Sequence, residues 1–267
     1  LQHGTPITYR AGDQPNNAVA LGGMKAREVV GTAGTSGVVY ALTDQLIGDQ
    51  TQRVNSFAHV NHTQEDPRIG VLLCINAAGS LYAWLRRTLQ DQAVPYHQLE
   101  RLAQTVPLGA EGLRIIPFGN GAERMLHQQP SAAHILNVQF HTHTPAHIYR
   151  AGLEAIACAF AYGIGAMKDM GIKMGSLKVG NDNLFQSDIF ARIVATLTQT
   201  SIEVLDTSGA VGAARGAAAG LMGSDIFSFF QSQTPILKHI SPDPASAPYH
   251  HVYQDWQLNL NRFKTHE

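Results

Sequence analysis

The amino-acid sequence predicts an α/β fold, and three observations carry that expectation. Short β-branched runs crowd the first third of the chain. From residue 144 onward, helical and strand-like segments alternate. Hydrophobic residues make up 44% of the 267, enough for a sizeable core in one large domain or two small ones.

Residues 5–23 read as a strand, a turn at Gly12-Asp13 and a small-residue helix from Asn16 to Leu21. In residues 27–42, Val29-Val30 and Val38-Val39-Tyr40 flank Gly34-Thr35-Ser36-Gly37, the pattern of strand, tight turn, strand. Val54 to Val60 and Ile69 to Ile75 are two further strands across the polar turn Asn61 to Asp66. Helices follow over Ser80 to about Gln90 and Tyr96 to Val106. A short strand, Leu113 to Ile116, ends at Pro117-Phe118-Gly119, and Gly121 to Ser131 is loop-like.

The longest periodic segment is Ala146 to Met170, where Ile148, Leu153, Ile156, Phe160, Ile164 and Met167 approximate one helical face. Thr144-Pro145 starts it, with proline just inside. The strand Leu177 to Val179 leads through Gly180-Asn181-Asp182-Asn183 to a helix over Ser187 to Thr198. The strand Ile202 to Leu205 then precedes an Ala/Gly helix from Gly209 to Met222. Tyr249, Tyr253 and Trp256 mark a closing helix that docks on the body. No internal repeat or low-complexity linker is present.

The net charge of −1 and pI near 7 leave no footprint for nucleic acid or an anionic membrane. No run approaches the roughly 20 apolar residues that span a bilayer. Leu1-Gln2-His3-Gly4 carries no basic region ahead of an apolar stretch, so no signal peptide is expected; without Met it reads as a fragment or processed piece. Cys74 and Cys158 lie in apolar runs and read as buried small hydrophobes, which fits a cytoplasmic location.

Several constellations could carry chemistry. The Gly34 to Gly37 turn suits a plain hairpin or an anion cradle of backbone N–H groups and hydroxyls. Asp13 is a turn former or an acid near that cradle. Gly180-Asn181-Asp182-Asn183 sits at a strand's carboxyl end, where α/β sheets bind ligands, but also reads as an N-cap with an Asx turn. The helix from Gly209 has so little bulk that it suits close approach of another helix or of a flat ligand. His141, His143 and His147 lack the partners of a metal tetrahedron and read as a hydrogen-bonded turn before a helix. Gly163-Ile164-Gly165 falls late in a helix, not after a strand, and is no dinucleotide fingerprint. Met167, Met170, Met174 and Trp84 read as core.

Taken in order, seven segments resemble the C-terminal half of the FGGY carbohydrate kinases, and within them the xylulokinase-like members. They are Ala11-Gly12-Asp13-Gln14-Pro15-Asn16-Asn17-Ala18; Val30 to Tyr40; Gly79-Ser80-Leu81-Tyr82-Ala83-Trp84-Leu85-Arg86; Leu113 to Arg124; His147 to Glu154; Gly180 to Phe190; and Asp206 to Gly220. Two departures stand out. Asn137 occupies a position where the family expects glycine, and the adenosine-contacting turn has Gly-Asn-Asp-Asn in place of a Gly-Gly pair.

The resemblance implies a ribonuclease H-like, actin-like ATPase domain with a mixed sheet flanked by helices. Residues 1–22 would be the remnant of an N-terminal sugar-binding domain, and residues 23–267 the nucleotide-binding domain. It implies ATP and Mg²⁺ as cofactors, Asp13 as the catalytic base, and Gly34, Thr35, Ser36, Gly37 and Gly79 around the phosphates. Gly180, Asn181, Asn183 and Gly209 would surround the adenosine. No protein residue is expected to ligate the metal directly, since Mg²⁺ bridges phosphates mostly through waters. The substrate would be a small sugar, such as xylulose, held mostly by a lobe absent from this chain; ribulose, gluconate and glycerol stay open, as does a homodimer. Competing readings are a non-catalytic binding module of the same fold and a metal-dependent hydrolase built on the histidines. The half-site in this chain alone is expected to be inactive.

Overall fold

The computed structural model describes residues 2–89, 94–129, 131–223 and 226–264. Its strands are β1 (Val29–Ala33), β2 (Gly37–Thr43), β3 (Asn55–Ala58), β4 (Ile69–Ile75), β5 (Arg114–Ile116), β6 (His134–Leu136), β7 (Leu177–Gly180), β8 (Ile202–Leu205) and β9 (Ile236–Ile240). Its α-helices are α1 (Asp13–Ala20), α2 (Gly79–Leu89), α3 (Tyr96–Gln104), α4 (Pro145–Asp169), α5 (Asp188–Thr198), α6 (Gly209–Met222), α7 (Ile226–Ser232) and α8 (Ala247–Lys264).

Seven strands make one mixed sheet in the order β3-β4-β2-β1-β7-β8-β9, while β5 and β6 pair separately. β1 pairs antiparallel with β2 and parallel with β7, and β7 runs parallel to β8. All of β2 is buried, and its alternation shows why. Val39 and Ala41 join the larger core with residues of α2, α3, α4, α5 and α8. Val38, Tyr40 and Leu42 face the other way, onto Ala18 and Leu21. A period-two apolar strand between two helical layers is the expected solution.

α4 runs through the centre of the larger core and is buried on nearly every side. Thr144 caps it with Pro145 in the first turn, and the Thr144 amide donates to Nδ1 of His147. The histidine run is thus a hydrogen-bonded lead into the helix, as its sequence suggests.

Several expectations are corrected. No strand forms over residues 5–12. Thr8 and Tyr9 are spent on α6 instead: the Thr8 hydroxyl donates to the Ala217 carbonyl at 2.8 Å, and the Tyr9 ring lies over Gly216. The first helix begins at Asp13, not Asn16, because Gly12 is its extended N-cap. The strand expected over Val54 to Val60 is only Asn55–Ala58. β6, α7 and β9 were not anticipated; β9 is a sheet edge whose first four residues are exposed, so it lacks the alternation that marks a half-buried strand. Cys74 is half-buried, unlike Cys158. The predicted end of the second helix at Gln90 lies outside the described residues. Among the described residues, no helix is long and apolar enough to cross a membrane.

Candidate functional site

β1 and β2 pair up to Ala33 opposite Gly37, which leaves Gly34, Thr35 and Ser36 as the hairpin loop. Thr35 and Ser36 are exposed. The loop does not hang free. The Gly79 amide donates to the Gly34 carbonyl at 2.9 Å, and the Ser80 amide to the Thr35 carbonyl at 3.0 Å. The first turn of α2 is therefore bolted to the hairpin tip. A Cβ on Gly79 would stand 2.4 Å from the Gly34 oxygen, so only glycine permits this approach.

From this junction opens a cleft of about 980 Å³. Such a volume suits a nucleotide-sized molecule, since small-molecule sites run to roughly 300–1,000 Å³. Its walls come from several elements. α2 supplies Ser80, Ala83, Trp84 and Arg87, which recur at helical spacing on one ridge. The segment after β5 supplies Pro117, Gly119 and Asn120. The turn after β7 supplies Asn183, Leu184, Gln186 and Ser187. Asn183 adopts a left-handed backbone (φ 50°), and its side chain reaches the Gly34 backbone, where a Cβ would lie 3.8 Å from it. Glu100 of α3 also faces the cleft and fixes the start of α5, accepting from the Ser187 hydroxyl at 2.7 Å and the Ile189 amide at 3.2 Å.

The segment after β5 is locked to the turn before α2. Nδ2 of Asn120 donates to the Asn76 carbonyl at 2.8 Å and to the Ser80 hydroxyl at 2.7 Å. Glu123 is buried and accepts the Asn76 and Ala77 amides, each at 3.1 Å. Burial pushes its carboxyl up to about 7 against the pull of those two amides.

Asp13 is exposed at the first position of α1, and its carboxylate accepts the Gln14 amide at 2.9 Å. Arg124, Glu123 and Asp13 all lie close enough to act electrostatically on the Cys74 thiol of β4, whose pKa burial raises. The helix that carries Asp13 is set by the glycines of α6. A Cβ on Gly212 would meet the Asn16 carbonyl at 1.8 Å, and one on Gly209 would meet Oδ1 of Asn17 at 2.2 Å. The Ala/Gly helix thus presents its bare stripe to α1 and to Tyr9.

Comparison with known proteins decides the family. The profile of the FGGY family of carbohydrate kinases, C-terminal domain, matches residues 29–221. The chain belongs to the FGGY family of carbohydrate kinases. It is 29% identical to the xylulose kinase of Escherichia coli K12 over 213 residues, which is 80% of this chain and 42% of that protein. It is 23% identical to the Haemophilus influenzae xylulose kinase over 260 residues, covering 97% of this chain and 50% of that one. The crystal structure of xylulose kinase from Rhodospirillum rubrum superposes with a TM-score of 0.81 at 28% identity, over 95% of this chain and 51% of that one. A Plasmodium falciparum glycerol kinase with ADP shares the fold at a TM-score of 0.81 and 19% identity, over 94% of this chain and 50% of that one. The FGGY domain described here spans about half the length of the curated relatives it matches. Its mixed sheet flanked by helices is the actin-like ATPase fold of the sugar kinases.

Of the residues anticipated from sequence, Gly34, Thr35, Gly79 and Asn183 line the cleft of this FGGY domain. Ser36 is exposed at the hairpin tip beside them. Gly37 is buried, and a Cβ there would meet the Phe160 ring at 2.5 Å, so this glycine packs the core. Gly180 is buried at the end of β7 beneath the Thr207 carbonyl, and the Asn181 amide donates to the Leu205 carbonyl at 3.1 Å. Gly209 faces α1. Trp84, expected in the core, is 45% exposed on the cleft wall. Its position on the ridge with Ser80 and Arg87 was the available signal. Asn120 and Glu123 lie in the Leu113 to Arg124 segment of the resemblance but, like Glu100, were not singled out as site residues.

Proposed function

We propose that this domain is the nucleotide-binding lobe of an ATP-dependent sugar kinase, which transfers the γ-phosphate of ATP to a hydroxyl of a pentulose such as xylulose. The observation that carries the reading is the joint between Gly34-Thr35 and Gly79-Ser80, with the Asn183 side chain beside Gly34, at the edge of the cleft. Backbone and hydroxyl groups at that joint suit the β- and γ-phosphates, and the cleft beyond it has room for ribose and adenine. The choice of xylulose follows the xylulose kinases among the relatives above 25% identity.

In this reading, Gly34, Thr35 and Ser36 orient the phosphates, and Gly79 keeps their approach open. Asp13 accepts the proton of the attacking hydroxyl as its oxygen bonds to the γ-phosphorus. The bond from that phosphorus to the bridging oxygen breaks, leaving a sugar phosphate and ADP. Positioning and charge stabilisation supply the remainder of the rate. A Mg²⁺ held mainly by phosphates and water, with Asp13 as a carboxylate at hand, would neutralise charge developing on the transferred group. The sugar contacts would lie mostly in a separate sugar-binding lobe, while Thr8, Tyr9 and α1 pack on α6 of this domain.

The test is a coupled kinase assay with ATP and xylulose on the longer protein that contains this chain. Asp13→Asn should lower turnover by roughly 10³-fold, within the usual span for loss of a general base, with ADP affinity unchanged. Unaltered turnover would remove Asp13 from this role.

A further inference from the structure

Glu123 is 1% exposed, and among the described residues it forms no ion pair. The neighbouring Arg124 turns away to the Asn55 side chain. A carboxylate buried without a cation is expensive, and a turn needing only a polar cap is served by a neutral side chain. Two acceptor oxygens on one rigid group do what a neutral side chain cannot: they hold two consecutive amides, Asn76 and Ala77, at once.

Those amides sit directly before the residues that touch the hairpin loop. From Glu123 the bonds run to Asn76 and Ala77; two residues on, Gly79 and Ser80 donate to Gly34 and Thr35. The same segment reinforces the turn twice more, through the Asn76 side chain donating to the Ala122 carbonyl at 3.1 Å and through Asn120. We propose that Glu123 is a positioning residue for the nucleotide site, acting through the Asn76-Ala77 turn to hold Gly79 and the Gly34-Thr35 loop in register with the phosphates. This inference rests on the reading of the cleft as a nucleotide site. Glu123 does not line the cleft, and its effect is transmitted through backbone.

The test compares wild type, Glu123→Gln and Glu123→Ala, using calorimetric titration with MgADP and hydrogen exchange at the amides of residues 76–80. Both are run at a temperature where urea melts show every protein folded. The isosteric glutamine keeps one acceptor and turns a donor toward the other amide, so it should bind ADP more weakly than wild type. Alanine should be weaker still, by at least tenfold, with faster exchange at Ala77, Gly79 and Ser80 and unchanged exchange in α4. A merely structural role would instead lower stability while leaving the ADP affinity of the folded variants intact. That result, or unchanged exchange at Gly79 and Ser80 in both variants, would overturn the proposal. Failure of the wild type to bind MgADP would overturn the reading of the cleft, and this role with it. Should the alanine variant fail to fold, glutamine decides: full wild-type affinity contradicts the assignment.

Discussion

The amide of Gly79 donates to the carbonyl of Gly34 at 2.9 Å, and a Cβ on Gly79 would stand 2.4 Å from that same oxygen. Two segments 45 positions apart in sequence, a hairpin tip and a helix start, thereby become one surface. Joined, the hairpin tip and the first turn of α2 line one cleft.

Substituting Gly79 with alanine tests the joint. The three atoms nearest the new methyl are all backbone, so the loop or the helix start must move. We expect nucleotide affinity to fall at least tenfold, and stability to fall by about 1–3 kcal/mol, the usual range for overpacking. Titration with MgADP and urea unfolding measure the two effects separately.

The stripe of α6 makes a second prediction. Gly212 stands where a Cβ would meet the Asn16 carbonyl at 1.8 Å and the Ala20 amide at 3.0 Å. Gly212→Ala should push α1 off α6 and move Asp13. Hydrogen exchange over residues 13–21 should rise sharply, while the amides of α4 and β2 keep their protection. Unchanged exchange in α1 would mean that the helices adjust without separating.

The third concerns acid stability. His59 is 3% exposed. Its Nε2 must donate to the Gly23 carbonyl at 3.1 Å, which leaves Nδ1 to accept from the Tyr40 hydroxyl at 2.9 Å. Gly70 makes room for that hydroxyl, since a Cβ there would lie 1.8 Å away. Burial lowers the histidine pKa from 6.5 to about 4, so the folded protein keeps the ring neutral while the unfolded chain takes up a proton near 6.5. The stabilisation is therefore complete above pH 6.5 and drains away as pH falls toward 4, by roughly 3 kcal/mol over that window. Urea midpoints from pH 7 to 4 should show this slope in wild type, and a His59→Asn variant should lack that part of it.

Much of the fold was legible because its elements obey one period each. α4 shows a long apolar face with a threonine-proline start, and the first hairpin has β-branched runs on both sides of a glycine turn. The stripe of small residues in α6 was equally visible, but its partner was not. Only the fold shows that Gly212, Gly216 and Gly220 meet Asn16, Tyr9 and Thr8, residues about 200 positions away. Trp84 was misplaced because an apolar residue among Leu81, Tyr82 and Leu85 looks like core, although it shares its ridge with Ser80 and Arg87. Glu123 was illegible for a different reason. It lies in the polar, loop-like stretch Gly121 to Ser131, and only the return of the chain after β5 to the turn before α2 buries it.

The most direct test of the central claim is a crystal structure of this chain with Mg²⁺ and a non-hydrolysable ATP analogue. Phosphate density is expected against Gly34, Thr35 and Ser36 beside Gly79, with the base lying in the cleft between Asn183 and the α2 ridge of Ser80, Ala83 and Trp84. Nucleotide density elsewhere on the domain, or an empty cleft at saturating analogue, would contradict it.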